Sequence, residues 1–304
     1  MLFLIKDYIM NIKKVFITGV TGYIGGSIAS LLIKRGYTVS GLFRKDADAD
    51  KLKALGILPV KGSLEDAPLL KAESLKADAV IHAADADDPY AVDTFLEALK
   101  GTGKTFIYTS GSSILGNKDY GEKNDFVYTE DIPLKPRFEK AHRMEINNHI
   151  LLAAKNRVRS IIIVPTMIYG EGFGLKKESI QVPMLERVSK EKGAGIYIEK
   201  GENIWSNVHI EDLANLYLLA LEKAKAGAYY YAENGSSSLK DIAQTISDRM
   251  GVKATKSITI DEGVKYFGLE GAYFALASNS ICSADKARLE LGWAPKYSSI
   301  HDFI

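Results

Sequence analysis

The sequence contains a single cysteine, Cys282, among its 304 residues. One cysteine cannot form an intrachain disulfide or a cysteine-rich zinc cluster, so both kinds of cross-link are excluded. This scarcity favours a reducing compartment, and we therefore expect a cytoplasmic protein. We expect the thiol itself to be a small core or loop residue rather than a nucleophile.

The sequence also lacks an excess of either charge, since 39 basic side chains face 38 acidic ones. Binding to nucleic acid or to an anionic membrane usually needs a basic surface, so neither partner is expected. A small-molecule substrate is the better expectation. The five histidines show no metal-ligand spacing, and we predict no metal site.

Long apolar runs are missing, which excludes a membrane-spanning helix by length alone. The first nine residues, MLFLIKDYI, are interrupted by Lys6 and Asp7 and are not followed by a small-residue cleavage site. We therefore do not expect a signal peptide. The ordered pattern is predicted to begin just after Met10.

Short β-branched runs alternate with helical periodicities, a pattern typical of a parallel sheet covered by helices on both faces. It predicts an α/β fold with a Rossmann-type doubly wound sheet and a smaller, partly interleaved C-terminal substrate-binding part. The predicted strands are 15–18, 38–43, 58–62, 79–82, 105–109 and 160–164. The predicted helices are 23–35, 91–99, 138–155, 211–223 and 238–250. We assign residues 11–169 to nucleotide binding, with returning segments around 205–232, and 170–304 mainly to the substrate.

The strongest motif is FITGVTGYIGG, in which a strand leads through Gly19, Gly22 and Gly25 directly into a helix. Gly19 is suited to the tight turn, Gly22 to close approach of a pyrophosphate, and Gly25 to packing of the helix on the strand. The positive end of that helix favours phosphate. The motif predicts dinucleotide binding.

The second strand ends in Phe43-Arg44-Lys45 rather than in an acidic residue. A carboxylate there would accept hydrogen bonds from the ribose of NAD, whereas Arg44 matches the 2′-phosphate of NADP. We therefore expect NADP. NAD is the alternative, because a lone arginine is often a solvated charge and Asp46 lies close in sequence.

The spacing TGxxGxxG resembles that of the short-chain dehydrogenase/reductase superfamily, in its extended and atypical branches. DAVIHAA at 78–84, TSGSSILG at 109–116, VPTMIYGEG at 164–172, SNVHIEDLANLYLLAL at 206–221 and ADKARLELGWAPK at 284–296 are similar to later family segments. The resemblance implies further cofactor contacts and allows a homodimer. The contacts it implies are Thr21, Tyr23, Ile24, Ser63, Leu64, Ala83, Ala84, Thr109 and Pro165.

The same resemblance implies a catalytic tyrosine, a lysine four residues later and a serine, and all three positions differ here. Counting back from Glu145 places Arg137 at the tyrosine position and Ala141 at the lysine position, while Gly111 stands in place of the serine. A register shifted by one residue places Phe138 and His142 at the first two positions and restores neither residue. Arginine has too high a pKa to exchange protons near neutrality. The usual proton relay is therefore excluded.

Two residues are our candidates for a substitute proton donor, Ser112 and Tyr169. Ser112 flanks the missing serine position, although a serine after a strand is more often a turn or cap residue. Tyr169 lies in a turn expected near the nicotinamide, where packing is an equal alternative. Lys140 and His142 are expected on a solvated helix face, and Arg137 either binds an anionic group or forms a surface salt bridge.

Three functions stay open. The leading hypothesis is an NADP(H)-dependent aldehyde or ketone reductase with a non-standard proton donor, because hydride transfer needs only a well-placed cofactor and electrophile. The alternative is a catalytically silent NADP(H)-binding sensor or regulatory protein. A sugar-nucleotide epimerase or dehydratase is less favoured because it needs the tyrosine most. Substrate contacts are expected from Trp205, Ser206, residues 229–231 and residues 271–280.

Overall fold

A seven-stranded parallel sheet forms the centre of the computed structural model, which describes residues 12–304. The expectation about residues 1–9 lies outside that range. The strands of this sheet are β1 (Lys14–Thr18), β2 (Thr38–Phe43), β3 (Leu58–Lys61), β4 (Ala79–His82), β5 (Thr105–Thr109), β6 (Arg159–Pro165) and β10 (Ala228–Ala232). The predicted fold class is confirmed, and the six strands predicted agree with the observed bounds to within one residue.

The strand order is β10-β6-β5-β4-β1-β2-β3, so the chain reverses direction across the sheet between β1 and β4. At their carboxyl ends these two strands pair Thr18 with His82. Ligands of doubly wound folds bind outside the carboxyl ends of the strands at such a reversal. The topology therefore places the candidate site above Thr18 and His82.

Helices cover both faces of the sheet and bury its β-branched side chains. The helices are α1 (Tyr23–Lys34), α2 (Ala49–Ala54), α3 (Ala67–Lys76), α4 (Pro89–Leu99), α5 (Ala141–Leu152), α6 (Gln181–Lys192), α7 (Ile210–Lys223), α8 (Leu239–Arg249), α9 (Ile260–Leu269, interrupted at Gly268) and α10 (Asp285–Leu291). α1 and α7 pack on one face, and α3, α4 and α5 pack on the other.

A second group of elements encloses a separate core. Its small strands are β7 (Met167–Tyr169), β8 (Ile196–Ile198), β9 (Ile204–His209), β11 (Ser236–Ser238) and β12 (Lys256–Ile258). They form a three-stranded sheet, β11-β9-β7, and a two-stranded sheet, β12-β8. A π-helical segment, Glu270–Leu276, follows α9 directly and completes this part of the chain.

Two local predictions need correction. The helix predicted over 138–155 is split into a 3-10 turn at Phe138–Lys140, α5, and a second 3-10 turn at Ala153–Asn156. The aromatic residues at 229–231, expected to touch substrate, belong to β10, where Tyr230 and Tyr231 are buried. An edge strand of the large sheet needs such side chains for packing.

Candidate functional site

The turn from β1 into α1 has the backbone geometry that a dinucleotide cradle requires. Gly19 has a φ of +74°, and a Cβ built on it would lie 2.6 Å from the carbonyl carbon of Ala83. A Cβ on Gly25 would lie 2.7 Å from the carbonyl carbon of Gly19. Only glycine fits at both positions, because each would otherwise collide with backbone.

The first turn of α1 presents backbone N–H groups without a side-chain cap. Its N-cap is Gly22, which donates its own N–H to the oxygen of Gly19 at 2.9 Å. Uncapped N–H groups and the helix dipole together make this end of α1 suited to an anion such as a pyrophosphate. The residues present therefore fit a nicotinamide dinucleotide.

A cavity of about 440 Å³ opens beside this turn. It is lined by eight of the residues expected to bind cofactor: Gly19, Thr21, Gly22, Arg44, Ser63, Leu64, Ala83 and Ala84. Three acidic residues also line it: Glu65, Asp85 and Asp88. The geometry thus gathers residues from β1, β2, β3 and β4 around one space, which we term the first cavity.

Arg44 lies in the first cavity without competition from its acidic neighbour. Asp46 forms an ion pair with Lys61 at 2.6 Å, which directs that carboxylate toward β3. Because the acid nearest in sequence is engaged by Lys61, the guanidinium of Arg44 is left to attract a phosphate, against the opposing charge of Glu65, Asp85 and Asp88 in the same lining.

A second cavity of about 430 Å³ continues from the first and shares Gly22, Ala83 and Ala84 with it. It brings together four more expected residues: Tyr23, Ile24, Ser112 and Pro165. Trp205 and Ala275, from segments expected to touch substrate, also line it. The polar lining that sequence reasoning missed consists of Ser113, Thr166, Lys176, Ser179 and Gln181.

Ser112 begins a short 3-10 turn immediately after Gly111, and both residues line the second cavity. The backbone oxygen of Ser112 accepts a hydrogen bond from the hydroxyl of Ser280 at 3.0 Å, which ties the turn to the C-terminal part of the chain. The backbone of this turn is therefore fixed at the wall of the second cavity.

Tyr169 does not reach either cavity. Its hydroxyl donates to the backbone oxygen of Tyr297 at 3.0 Å, and its ring packs against His209 with the centroids 5.3 Å apart. Burial raises the pKa of Tyr169, which makes proton release harder still. The structure thus argues against Tyr169 as the proton donor, and it gives this side chain a packing role.

Two other expected cofactor residues lie beneath the cavities rather than in their walls. The hydroxyl oxygen of Thr109 accepts a hydrogen bond from Tyr217 at 2.7 Å inside the core. Gly25 faces the backbone of Gly19. Both support the cradle without lining it.

The three positions of the missing relay are filled by groups with different chemistry. Nη1 of Arg137 donates to the backbone oxygens of Ser113, at 3.1 Å, and Gly116. Gly111 leaves room above the second cavity, and a Cβ there would lie 3.6 Å from Nη1 of Arg143. A fixed positive charge therefore lies beside the position where the resemblance implies a serine hydroxyl.

Arg143 is a residue that the sequence analysis missed. It lies on α5 and is buried. Its guanidinium donates two hydrogen bonds to the carboxylate of Asp87, which belongs to the acidic run at 85–88. Burial alone would raise the pKa of Asp87, but the hydrogen bonds and charges of Arg143 and His142 outweigh it and hold that pKa below the usual range. The acidic run after β4 and the basic residues of α5 are both visible in the sequence. Nothing in the sequence shows that these two segments contact each other.

The neighbouring helix residues differ from the expected solvated pair. His142 is exposed and contacts Asp87 at 2.6 Å, as a surface residue would. Lys140, in contrast, is buried, and its Nζ pairs with the carboxylate of Glu270. The expectation for Lys140 was wrong because its ammonium forms an ion pair with Glu270, which is 130 residues away in the sequence.

His82 supports the floor of the site. Its ring lies between the hydroxyl of Thr18 and the backbone oxygen of Asp85, each at 2.7 Å. Burial lowers the pKa of His82, so the ring is neutral at physiological pH. It therefore fixes the end of β4 without adding charge.

Residues 12–304 contain neither a metal-binding cluster nor a membrane-spanning helix. No group of three or more metal-binding side chains occurs there. Across the same residues, no helix is both long and apolar enough to cross a bilayer.

The profile of the NAD dependent epimerase/dehydratase family matches residues 15–231, which include the whole large sheet except the first residue of β1 and the last residue of β10. The chain belongs to this family. The earlier resemblance to extended short-chain dehydrogenases is confirmed, and family members depend on a nicotinamide dinucleotide.

Individual relatives show different activities on one fold. The uncharacterized protein C2A9.02 of Schizosaccharomyces pombe is 32% identical over 94% of this chain and 96% of its own. A 4-hydroxy-2-methyl-3-oxo-4-farnesyl-3,4-dihydroquinoline-1-oxide ketoreductase of Stigmatella aurantiaca is 22% identical over 92% of both chains. The dTDP-glucose 4,6-dehydratase of Bacillus anthracis, solved with NAD, has a TM-score of 0.76 at 17% identity over 96% of this chain and 95% of its own.

Proposed function

We propose that this family member is an NADPH-dependent reductase of small aldehydes or ketones. The observation that carries the proposal is the continuity of the two cavities through Gly22, Ala83 and Ala84, which joins Arg44 at one end to Ser112 at the other. A bound nicotinamide dinucleotide supplies a hydride. Gly19, Gly22 and the start of α1 would hold its phosphates.

The choice of NADPH rests on Arg44. It lines the first cavity, and the acid nearest in sequence, Asp46, is paired with Lys61. A guanidinium at this position matches a 2′-phosphate with charge and with paired hydrogen bonds.

Reduction of a carbonyl also needs a hydrogen-bond donor at the carbonyl oxygen, and the usual tyrosine is replaced by Arg137. Ser112 offers a hydroxyl on the wall of the second cavity, and Nη1 of Arg143 places a positive charge next to Gly111. Donors aimed at an oxygen that gains negative charge stabilise the transition state. We assign Ser112 to hold the carbonyl oxygen and to pass on a proton taken from water.

A ketoreductase among the relatives supports this class of reaction. The runner-up is a silent NADP(H)-binding sensor, which is favoured by one observation. Gly111, Arg137 and Ala141 together remove the family's relay while the cofactor cradle is intact.

Consumption of NADPH with a panel of small aldehydes and ketones, run beside binding titrations of NADPH and NADH, separates the two. A reductase is expected to lose about 100-fold or more in kcat on Ser112→Ala with NADPH affinity unchanged. Ser113→Ala, in the same cavity wall, and Tyr169→Phe are the matched controls and should keep most of the turnover. Tight NADPH binding without turnover of any carbonyl would instead support the sensor.

A further inference from the structure

Arg137 carries two buried donors that the described chain does not satisfy. Its side chain is 9% exposed, and its Nη1 donates hydrogen bonds to the backbone oxygens of Ser113 and Gly116. Within residues 12–304, Nε and Nη2 have no hydrogen-bond partner. Burial of an unpaired donor destabilises a protein, more so on a charged group, so an acceptor from outside the chain is expected here.

The two unpaired atoms are the ones that match a carboxylate. On Arg143, Nε donates to one oxygen of Asp87 at 2.7 Å and Nη2 donates to the other. Nε and Nη2 therefore form one edge of the guanidinium, with the spacing of two carboxylate oxygens. Within residues 12–304, Arg137 presents the same edge with no acceptor at hydrogen-bonding distance.

Two carboxylates, Glu270 and Glu139, act on Arg137, but Glu270 pairs with Lys140 and neither accepts a hydrogen bond from the Nε and Nη2 edge. The guanidinium of Arg137 stacks on the ring of Phe274 at 3.7 Å, and Nζ of Lys118 lies 5.6 Å from the same ring. Glu139 lies between them, 3.6 Å from Lys118 and 4.0 Å from Nε of Arg137. The second distance is too long for a hydrogen bond, so one shared carboxylate does not satisfy Arg137.

The position of Arg137 links it to the substrate cavity. Its hydrogen-bond partner Ser113 lines the second cavity, and so does Ala275, the neighbour of its stacking partner Phe274. Phe274 and Ala275 belong to the π-helical segment Glu270–Leu276. π-Helical turns are rare and occur frequently at functional sites.

We propose that the carbonyl substrate carries a carboxylate and that the Nε and Nη2 edge of Arg137 binds it. The inference rests on the proposed function and names the substrate class, an oxo acid. Because both nitrogens are buried, this binding requires the cavity wall at Ser113 and Ala275 to open.

The test uses matched pairs of probes with NADPH present: 2-oxobutanoate, 4-oxopentanoate and 6-oxoheptanoate, each against its methyl ester. The ester keeps the carbonyl and removes the charge. We expect at least one acid to exceed its ester by about tenfold or more in kcat/KM and in affinity measured by calorimetry. Equal binding and turnover of all acids and esters would overturn the proposal.

Variants assign the preference to Arg137. Arg137→Met should abolish the preference for the acid, and Arg137→Lys should restore only part of it, because an ammonium lacks the paired donors. Lys53→Met removes an exposed positive charge that pairs with Asp50, away from Arg137 and Glu139, and should leave the preference intact. A preference that survives Arg137→Met would contradict the assignment.

Glu139→Gln keeps the inference testable if the Arg137 variants do not fold. Removal of the competing carboxylate at 4.0 Å should tighten binding of the acid. Weaker or unchanged binding would show that Glu139 does not compete for this edge and would count against the site.

The two proposals fail in different ways. Binding of an acid that depends on Arg137, without turnover of any carbonyl, would refute the reductase and keep the carboxylate site. Turnover of neutral carbonyls without any preference for acids would keep the reductase and refute the carboxylate site.

Discussion

Nε of Arg143 lies 2.7 Å from one carboxylate oxygen of Asp87, and Nη2 of the same guanidinium contacts the other. This bidentate ion pair joins α5 to the loop between β4 and α4. It leaves the third nitrogen, Nη1, beside Gly111 at the wall of the second cavity. Asp87 thus fixes the guanidinium of Arg143 next to Gly111, one residue before Ser112.

Asp87→Asn should weaken this ion pair, because asparagine keeps one acceptor and loses the charge. We expect a loss of about 2 kcal/mol in the free energy of unfolding, the scale of hydrogen bonds to charged groups. kcat/KM for carbonyls should fall about tenfold, while NADPH affinity stays unchanged because Arg44 and the α1 turn are untouched. Urea denaturation, steady-state kinetics and cofactor titration measure the three quantities.

Asp93→Asn is the matched control for that change. Asp93 lies on α4 and pairs at 3.5 Å with His149, and both side chains are more than half exposed. Surface pairs contribute little, so the free energy of unfolding should change by less than about 0.5 kcal/mol. Equal effects of the two substitutions would show that the ion pair with Arg143 has no special role.

Arg44→Glu should reverse the cofactor preference. Loss of the guanidinium removes charge-assisted hydrogen bonds to a 2′-phosphate, and the new carboxylate repels it while accepting from the ribose of NADH. The dissociation constant for NADPH should rise about 10- to 100-fold, with that for NADH unchanged or lower. Titration by fluorescence gives both dissociation constants. An unchanged ratio of the NADPH constant to the NADH constant would contradict the assignment of Arg44.

Lys53→Glu controls for the change in net charge. Lys53 is an exposed residue of α2 that pairs with Asp50 at 3.0 Å. Its replacement alters the same total charge outside the cavity, so both dissociation constants should move by less than about twofold.

Gly19→Ala and Gly36→Ala separate backbone strain from a blocked cradle. Both glycines have positive φ, at +74° and +86°, but a Cβ on Gly36 would meet no atom within 4 Å. Gly36→Ala should therefore cost about 1 kcal/mol of stability and leave cofactor binding intact. Gly19→Ala should in addition abolish NADPH binding, because its Cβ would press on Ala83. Calorimetric titration and thermal unfolding of both variants test this, and intact binding by Gly19→Ala would contradict it.

The large sheet could be predicted from sequence because its determinants are local. Each strand is a short apolar run bounded by turn residues, and the glycines of the α1 turn lie within seven residues of one another. Thr38–Phe43 was predicted with its observed bounds, and Arg44 follows directly into the first cavity. The residues at the strand ends that were expected to bind cofactor therefore come together around one cavity.

The second cavity could be predicted only in part, because its polar groups are set by contacts between distant residues. Asp87 and Arg143 are 56 residues apart, and Lys140 and Glu270 are 130 apart. No periodicity encodes such pairs. Tyr169 was misplaced for a related reason, since its hydroxyl is taken by Tyr297 from a tail whose path the sequence does not reveal.

The last prediction concerns pH, and its sign follows from Asp87. Burial raises the pKa of this carboxyl, but Arg143 and, to a smaller extent, His142 lower it by more. The folded protein therefore holds the pKa below its ordinary value of 3.8. A carboxyl with a depressed pKa contributes stability that is fully present above the ordinary value. That contribution is lost as pH falls through the folded value.

The wild-type protein and Asp87→Asn should therefore differ most in the free energy of unfolding at pH 7 and pH 5. The difference should shrink at pH 3 and below, because protonation of Asp87 removes from the wild type the charge that the variant already lacks. Other carboxyls titrate in the same range, but they are common to both proteins and cancel in the difference. Urea denaturation at the three pH values measures it. A difference that is constant with pH would mean that the contact with Arg143 depends on shape rather than on charge.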